Sequence, residues 1–292
     1  MSFESTAIRS GRALHKRAGL YGRHRLASRL CIGLAVLVTV YPILFVMLTS
    51  IKKNKEFYVN IWGLPKAPAF DNYPKALVAG HLGEYFINSL VIVGTTLVLT
   101  LLLGALAGYA LSKLRVPHPE RILAAVLLCT MLPSESVLMP SYLITSRMGI
   151  TGTHLALILP YIGWGLPMTI YIYRNFFNTL SSEIMEAARM DGCSEFGTFL
   201  RIAAPLMLPA TATNAIFIFC GWWGELLWSS VQLAATNMKT LPIGMIAFTS
   251  QFGTDWGTLS AAVCMVILPL VAFFVATQRF FIQGLTSGAV KG

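Results

Sequence analysis

The segment E-A-A-R-M-D-G-C-S-E-F-G-T-F-L-R-I-A-A-P-L-M-L-P, Glu186 to Pro209, decides how this chain folds. It is polar, broken by Gly192 and ended by Pro205 and Pro209, yet it separates two long apolar runs. Upstream, Thr151–Tyr173 carries no charge beyond His154; downstream, Ile202–Asn237 contains a run whose only charge is Glu225. Within the segment the local signals are consistent. Ser181 or Ser182 can cap a helix, with Glu183 and Glu186 in its first turn, where carboxylates suit the positive end of the helix dipole. Ile184, Ala187, Ala188 and Asp191 are expected on one face at helical spacing. The alanines would keep that face flat, so a groove of another protein could approach the backbone. Gly192 offers the left-handed conformation that ends a helix. Ser194 can cap a second turn carrying Phe196, Phe199 and Leu200, and Pro205 and Pro209 suit the start of the next helix.

Working outward, the chain is 292 residues long, 55% hydrophobic and 12% charged. Soluble domains are roughly 45–50% apolar and about 25% charged. A bilayer span needs about 20 apolar residues, and six runs qualify: Leu30–Leu48, Phe86–Ser112, Ile122–Ser146, Thr151–Tyr173, the run after Ile202, and Trp256–Gln278. The expected fold is an all-α membrane protein with six transmembrane helices. A basic segment 1–29 precedes a six-helix domain over 30–281, and a tail follows over 282–292. The net charge of +10 does not mark a nucleic-acid partner, because its distribution follows the membrane. Seven Lys and Arg lie in 1–29, three in 113–121, three in 174–201 and two after 278, fifteen of the 22 in all. The positive-inside rule then places both termini in the cytoplasm, with external loops 51–85 and 233–256. The first span has no small-residue cleavage site and is expected to stay as an anchor. The five cysteines form no CxxC pair, so neither a disulfide framework nor a zinc site is implied.

Several spans hold prolines: Pro133 and Pro140 in the third, Pro160 and Pro167 in the fourth, Pro269 in the sixth. Such breaks are tolerated where neighbouring helices or a water-filled cavity satisfy the backbone, as a pathway requires. G-A-L-A-G, Gly104–Gly108, offers a small-residue face for close helix packing. Loop 51–85, with Pro65, Pro68 and Pro74, is expected to be mostly irregular. L-P-I-G-M-I-A-F-T-S-Q-F is too short to span, and suits a re-entrant or interfacial piece.

E-A-A-x-x-D-G followed by F-x-x-I-x-x-P-L-x-x-P, between a fourth and fifth span, resembles the coupling loop of ABC importer permeases. The likeness is to the binding-protein-dependent carbohydrate importers of the maltose-permease type, and it extends from Tyr41 nearly to the end of the chain. N-S-L at Asn88–Leu90, G-Y-A-L-S-K-L-R-V-P, M-L-P-S-E, L-P-Y-I-G-W, T-L-P-I-G, G-T-D-W-G and the tail Q-R-F-F-I-Q-G-L-T-S-G-A-V-K-G all fit. Cys193 departs from the usual alanine, and G-W-W-G-E-L-L-W departs from the usual Trp-Asn-Glu-Phe. The resemblance implies a coupling loop over 178–205 in which Glu186, Ala187, Ala188, Asp191, Gly192, Phe199, Ile202 and Pro205 meet an ATPase subunit. It implies a second homologous permease, an ATPase dimer that holds ATP and Mg, an extracytoplasmic solute-binding protein and a carbohydrate substrate. The location implied is the bacterial cytoplasmic (inner) membrane. No G-x-x-x-x-G-K-[ST] phosphate loop is present, so this chain is expected to bind no nucleotide, and no catalytic or metal constellation appears.

Candidate pathway residues rest on chemistry at depth. On a straight helix Glu135 lies about 20 Å from Arg121, inside the membrane, where an ionisable group is a functional-site hypothesis. The competing reading is a structural hydrogen bond near Pro133. Glu225 lies about 27 Å along from Met207 by the same rise, among Trp222, Trp223 and Trp228. Those tryptophans suit an interface belt or stacking on sugar rings, and Tyr142, Tyr161, Trp164 and Asn214 are similar candidates. Two other readings stay open: an ABC permease for a non-carbohydrate solute, and an ion-driven secondary transporter, for which inverted repeats are not visible.

Overall fold

The computed structural model describes residues 28–289 apart from 79, 247, 251 and 252. The basic stretch 1–27 and the last three residues of the expected tail lie outside the described residues. The described residues open with α1, Ser28–Ser50, then the short α2, Asn54–Val59, and α3, Asn72–Val78. After these come α4, Leu82–Lys113, α5, Pro119–Leu128, and α6, Ser134–Arg147. Next are α7, Leu155–Thr179, α8, Ser182–Met190, and α9, Glu195–Thr198. A π-helical turn, Phe199–Ala203, leads through α10, Ala204–Leu206, to α11, Leu208–Trp223. The last elements are α12, Leu227–Leu233, α13, Leu241–Ile246, a two-residue hairpin at Thr249–Thr254, and α14, Trp256–Ala289. Four of these, α1, α4, α7 and α14, are long and apolar enough to cross a membrane. Two further spans are bent pairs: Pro119–Met131 with Glu135–Arg147, at 100°, and Glu195–Leu206 with Leu208–Trp223, at 75°. The all-α membrane fold stands, with four continuous spans and up to six when each bent pair counts as one.

Helices α4 and α7 form the central seam, and glycine makes it possible. A Cβ on Gly104 would overlap the Thr169 side chain, and one on Gly108 would sit 2.7 Å from Tyr173 Cβ. One turn earlier, Gly165 faces Thr100, whose Cγ2 would lie 3.3 Å from a Cβ. The small-residue face anticipated at Gly104–Gly108 is therefore the line of closest approach, and close packing is what holds helices together in lipid. The partners 100/165, 104/169 and 108/173 rise together, so α4 and α7 run parallel and end on the same side. Ser112 Oγ donates to Asn178 at 2.6 Å and Lys113 Nζ to the Leu180 carbonyl at 2.8 Å, tying those ends together. At the opposite end, Asn88 Nδ2 donates to Lys239 O and Leu241 N–H donates to Ser89 Oγ.

Proline behaves differently from expectation. Pro160 and Pro167 stay inside an unbroken α7, Pro140 inside α6 and Pro269 inside α14. The third span breaks only at Pro133, whose ψ of 132° is extended. A proline inside a helix frees one carbonyl, which side chains, neighbouring helices or water can re-satisfy. Loop 51–85 is also more ordered than its prolines suggested. It forms α2 and α3, with Pro74 in the first turn of α3, where the missing N–H has no helical acceptor in any case. The piece Leu241–Ile246 packs inside, with Leu241 1% exposed against Leu82, Val93 and Trp223. Finally, α14 continues through the first eight residues of the expected tail, to Ala289.

Candidate functional site

The segment that opened the sequence reading projects from the end where α4 and α7 finish together. Its helix α8 is capped at both ends. Ser181 Oγ accepts from Glu183 N–H at 3.1 Å. At the other end Gly192 takes φ +80°, Cys193 N–H donates to Ala188 O and Gly192 N–H donates to Arg189 O, both at 3.0 Å. That pair of bonds is the Schellman ending. Ser194 Oγ then accepts from Gly197 N–H at 3.1 Å and starts α9. Arg189 grips Glu195 through Nε at 2.8 Å, and its Nη2 donates to Lys113 O at 3.4 Å, joining α8, α9 and α4. The Glu195 carboxylate holds the Arg189 pKa above its ordinary value.

The two faces of this unit are chemically distinct. Inward, Met185, Phe199, Ala203 and Met207 pack with Tyr109, Tyr173 and Phe177, and Ala188 is buried as well. Phe199 lies 5.2 Å from Tyr109 and 6.4 Å from Phe177, centroid to centroid. Outward stand Glu183, Glu186, Ala187, Asp191 and Gly192, with four apolar side chains exposed: Ile184, Met190, Phe196 and Leu200. Met190 is 88% exposed. This corrects two expectations. Ala188 does not share an outer face with Ile184 and Ala187, because it is buried at 4% against the bundle. Phe199 likewise anchors the loop and offers nothing outward. Ile202 is half-buried and Pro205 is exposed at the α10 turn. The π turn lies where the unit joins the bundle, a placement frequent at functional sites.

The second cluster lies towards the far end. Tyr161 stacks on Trp222 at 4.3 Å and 11°, and its hydroxyl donates to Glu225 at 2.5 Å. Glu225 also accepts from Trp228 N–H at 2.7 Å and Ser229 N–H at 3.0 Å. Its carboxylate therefore satisfies the first amides of α12, a capping arrangement, and links α11 and α12 to α7. Trp228 Nε1 donates to Ala156 O at 3.0 Å and Trp223 Nε1 to Val266 O at 2.9 Å. Both indoles are buried, so they form neither an interface belt nor an open wall. Asn214 is 1% exposed, and its Nδ2 has no partner among the described residues. Of the pathway candidates, Trp164 lines an opening. It borders two grooves between α6 and α7, of about 510 and 300 Å³. Tyr142 is half-buried against the core cluster that contains Tyr161 and Trp228. Glu135 is exposed in the first turn of α6, beyond the 100° break, so the straight-helix depth assigned to it does not hold. Reasoning from sequence missed Lys52 and Asn72. They are 1% and 4% exposed, and they organise the far-end loop through backbone carbonyls.

Residues 101–286 match the family described as "Binding-protein-dependent transport system inner membrane component". The chain belongs to this family. It is 34% identical over 273 residues to the arabinooligosaccharides transport system permease protein of Bacillus subtilis, covering 92% of this chain and 96% of that one. It is 34% identical to the trehalose transport system permease protein of Mycobacterium tuberculosis, over 90% of this chain and 95% of that one. The melibiose/raffinose/stachyose import permease protein of Bacillus subtilis is 31% identical, over 85% and 90%. A crystal structure of a bacterial ABC transporter that imports alginate contains a chain of the same fold. Its TM-score is 0.76 at 20% identity, covering 88% of this chain and 95% of that one. The protein is thus a membrane permease subunit of a transport system.

Proposed function

We propose that this permease pairs with a second, homologous permease to form the pathway for a carbohydrate: a sugar, oligosaccharide, glycoside or polyol-type solute. In this reading an extracytoplasmic solute-binding protein delivers the substrate and an ATPase dimer binds beneath. ATP and Mg sit on those ATPase subunits and none on this chain. The observation that carries the reading is the α8–α9 unit: apolar and acidic side chains outside, an aromatic anchor inside, and caps at every turn. A rigid projection of this kind can respond to closure of a partner's cleft and pass displacement to the α4–α7 seam. Differential contact with the open and closed partner then shifts the populations of inward- and outward-facing states. The named substrates of the relatives support the carbohydrate class. The end carrying α8 is cytoplasmic in this reading, both termini lie on that side, and the membrane is the bacterial cytoplasmic membrane.

The test is a gentle-detergent purification of the tagged chain from native membranes, followed by ATPase assays with candidate sugars and the binding protein. Co-purification of a second permease and an ATPase, with turnover raised by one sugar class, is the expected result. Recovery of the chain alone, with uptake driven by an ion gradient, would overturn it. A charge reversal on the outward face, Glu186→Lys, should leave membrane insertion intact while uncoupling ATP hydrolysis from uptake. Uptake at the unaltered rate would remove Glu186 from the coupling surface.

A further inference from the structure

The loop between α1 and α3 carries large apolar side chains on its outside: Tyr58, Val59, Trp62 and Leu64 are 59%, 86%, 73% and 72% exposed. Its position relative to α1 is fixed by Trp62. That ring lies 5.3 Å from Phe45 and 6.4 Å from Tyr41, centroid to centroid, against the flank of α1. At 1.5 Å per residue, Phe45 and Tyr41 lie about 8 and 14 Å inside the Ser50 end of that helix. The loop therefore folds back alongside the span instead of standing away from it. The apolar window of α1 is itself 0% buried among the described residues, so Trp62 continues an apolar surface that they leave uncovered.

The fold-back is built. Lys52, 1% exposed, donates from Nζ to Asn60 O at 3.0 Å and Ile61 O at 2.9 Å, and so holds the end of α2 and the start of the Trp62 turn. Asn72 Nδ2 fixes Ser50 O and Lys52 O at 2.8 and 2.9 Å. Phe57 stacks on Trp256 at 5.2 Å and pins α2 to α14. Around the apolar tip stand Lys53, Lys55 and Lys66, all exposed and without an ion pair among the described residues. Beside them the Glu56 carboxylate accepts from the Lys66 backbone N–H at 2.6 Å, and the exposed Asp71 carboxylate feels the charge of Lys53.

We propose that residues 58–64 form a wedge seated in the headgroup layer of the adjoining leaflet, with the three lysines facing the phosphates of anionic lipids. Tryptophan and tyrosine favour that layer because one end of the ring is apolar and the other can hydrogen-bond. Lysine adds attraction to an anionic surface within a Debye length. The occupant is a lipid surface; the wedge depth and the exposed ammonium groups argue for it together.

The test uses the full chain with its co-purifying subunits, reconstituted in vesicles of phosphatidylethanolamine and phosphatidylglycerol. Tryptophan quenching by lipids brominated near the headgroup is compared between the wild type and Trp62→Phe. The difference isolates Trp62, and the expected result is a loss of at least a third of the bromine-quenchable emission. Replacing Lys53, Lys55 and Lys66 by Gln, or phosphatidylglycerol by phosphatidylcholine, should reduce that difference about twofold. Quenching of Trp62 by aqueous iodide in place of bromine would put the loop in water and overturn the proposal. Protection from both quenchers would mean that a protein partner covers it, and would overturn it equally.

Discussion

At the scale of single residues, the α8–α9 unit separates a costly position from a cheap one. Gly192 at φ +80° has open space where a Cβ would go, so Gly192→Ala is opposed by backbone strain alone, about 1–2 kcal/mol. Local opening should then rise roughly 5–30-fold, read as faster amide exchange of Cys193, whose N–H closes the Schellman turn on Ala188. Arg189→Gln removes an exposed ion pair, with side chains 39% and 49% exposed, and such pairs contribute less than about 1 kcal/mol. Its exchange should change little. If the arginine variant opened the turn more than the glycine variant, the cap would not be what holds α8. These cap positions were legible in the sequence because each acts over three or four residues: Ser181, Gly192, Ser194 and Pro209 need no distant partner to declare their roles. Ala188 was not legible. Two adjacent alanines look alike in sequence, and only the packed structure shows that Ala188 turns inward while Ala187 stays exposed.

At the scale of elements, the same distinction divides what could be read from what could not. The seam at Gly104 and Gly108 was visible because small residues four apart mark one helix face, although its partner, α7, was not identified by that pattern. The positions where helices break were misjudged. Pro160 and Pro167 carry the same local penalty as Pro133, yet α7 is continuous where it packs on α4 while the third span turns by 100°. Surroundings decide whether a freed carbonyl is tolerated, and one sequence does not display them. The depth of Glu135, inferred from a straight helix, failed for that reason. The anchoring of the α8–α9 unit makes a prediction at this scale. Phe199→Ala empties a buried aromatic site, and such truncations cost about 3–5 kcal/mol. The α8–α9 unit should then be cleaved by protease under conditions where the wild type resists. Met190→Ala, at an 88% exposed position, should leave proteolysis unchanged and lower coupled uptake. A Phe199 variant as resistant as wild type would show that the loop is held elsewhere.

For the whole molecule, the two clusters lie at opposite ends of one rigid pair. The α8–α9 unit is packed onto the closing turns of α4 and α7 through Tyr109, Tyr173 and Phe177. Near the opening turns of α7, Tyr161 carries Trp222 and Glu225 and, through them, α12. Between those ends the glycine contacts leave no slack, so a push on α8 must move the pair as one body. Of the bent third span, α5 is tied to α7 by the Glu120–Arg174 ion pair, whereas α6 is set apart from α7 by grooves of about 510 and 300 Å³, room that lets α6 shift against the pair. Spin labels at Leu103 of α4 and Met168 of α7, both on exposed faces, should therefore report one distance, unchanged when the assembled transporter is trapped with nucleotide. Labels at Leu143 of α6 and Met168 should report a distance that changes on trapping, with the grooves beside Trp164 opening or closing. The opposite pattern, a fixed α6 and a separating α4–α7 pair, would mean that the seam is the hinge, and that the grooves beside Trp164 are permanent features outside the transport path.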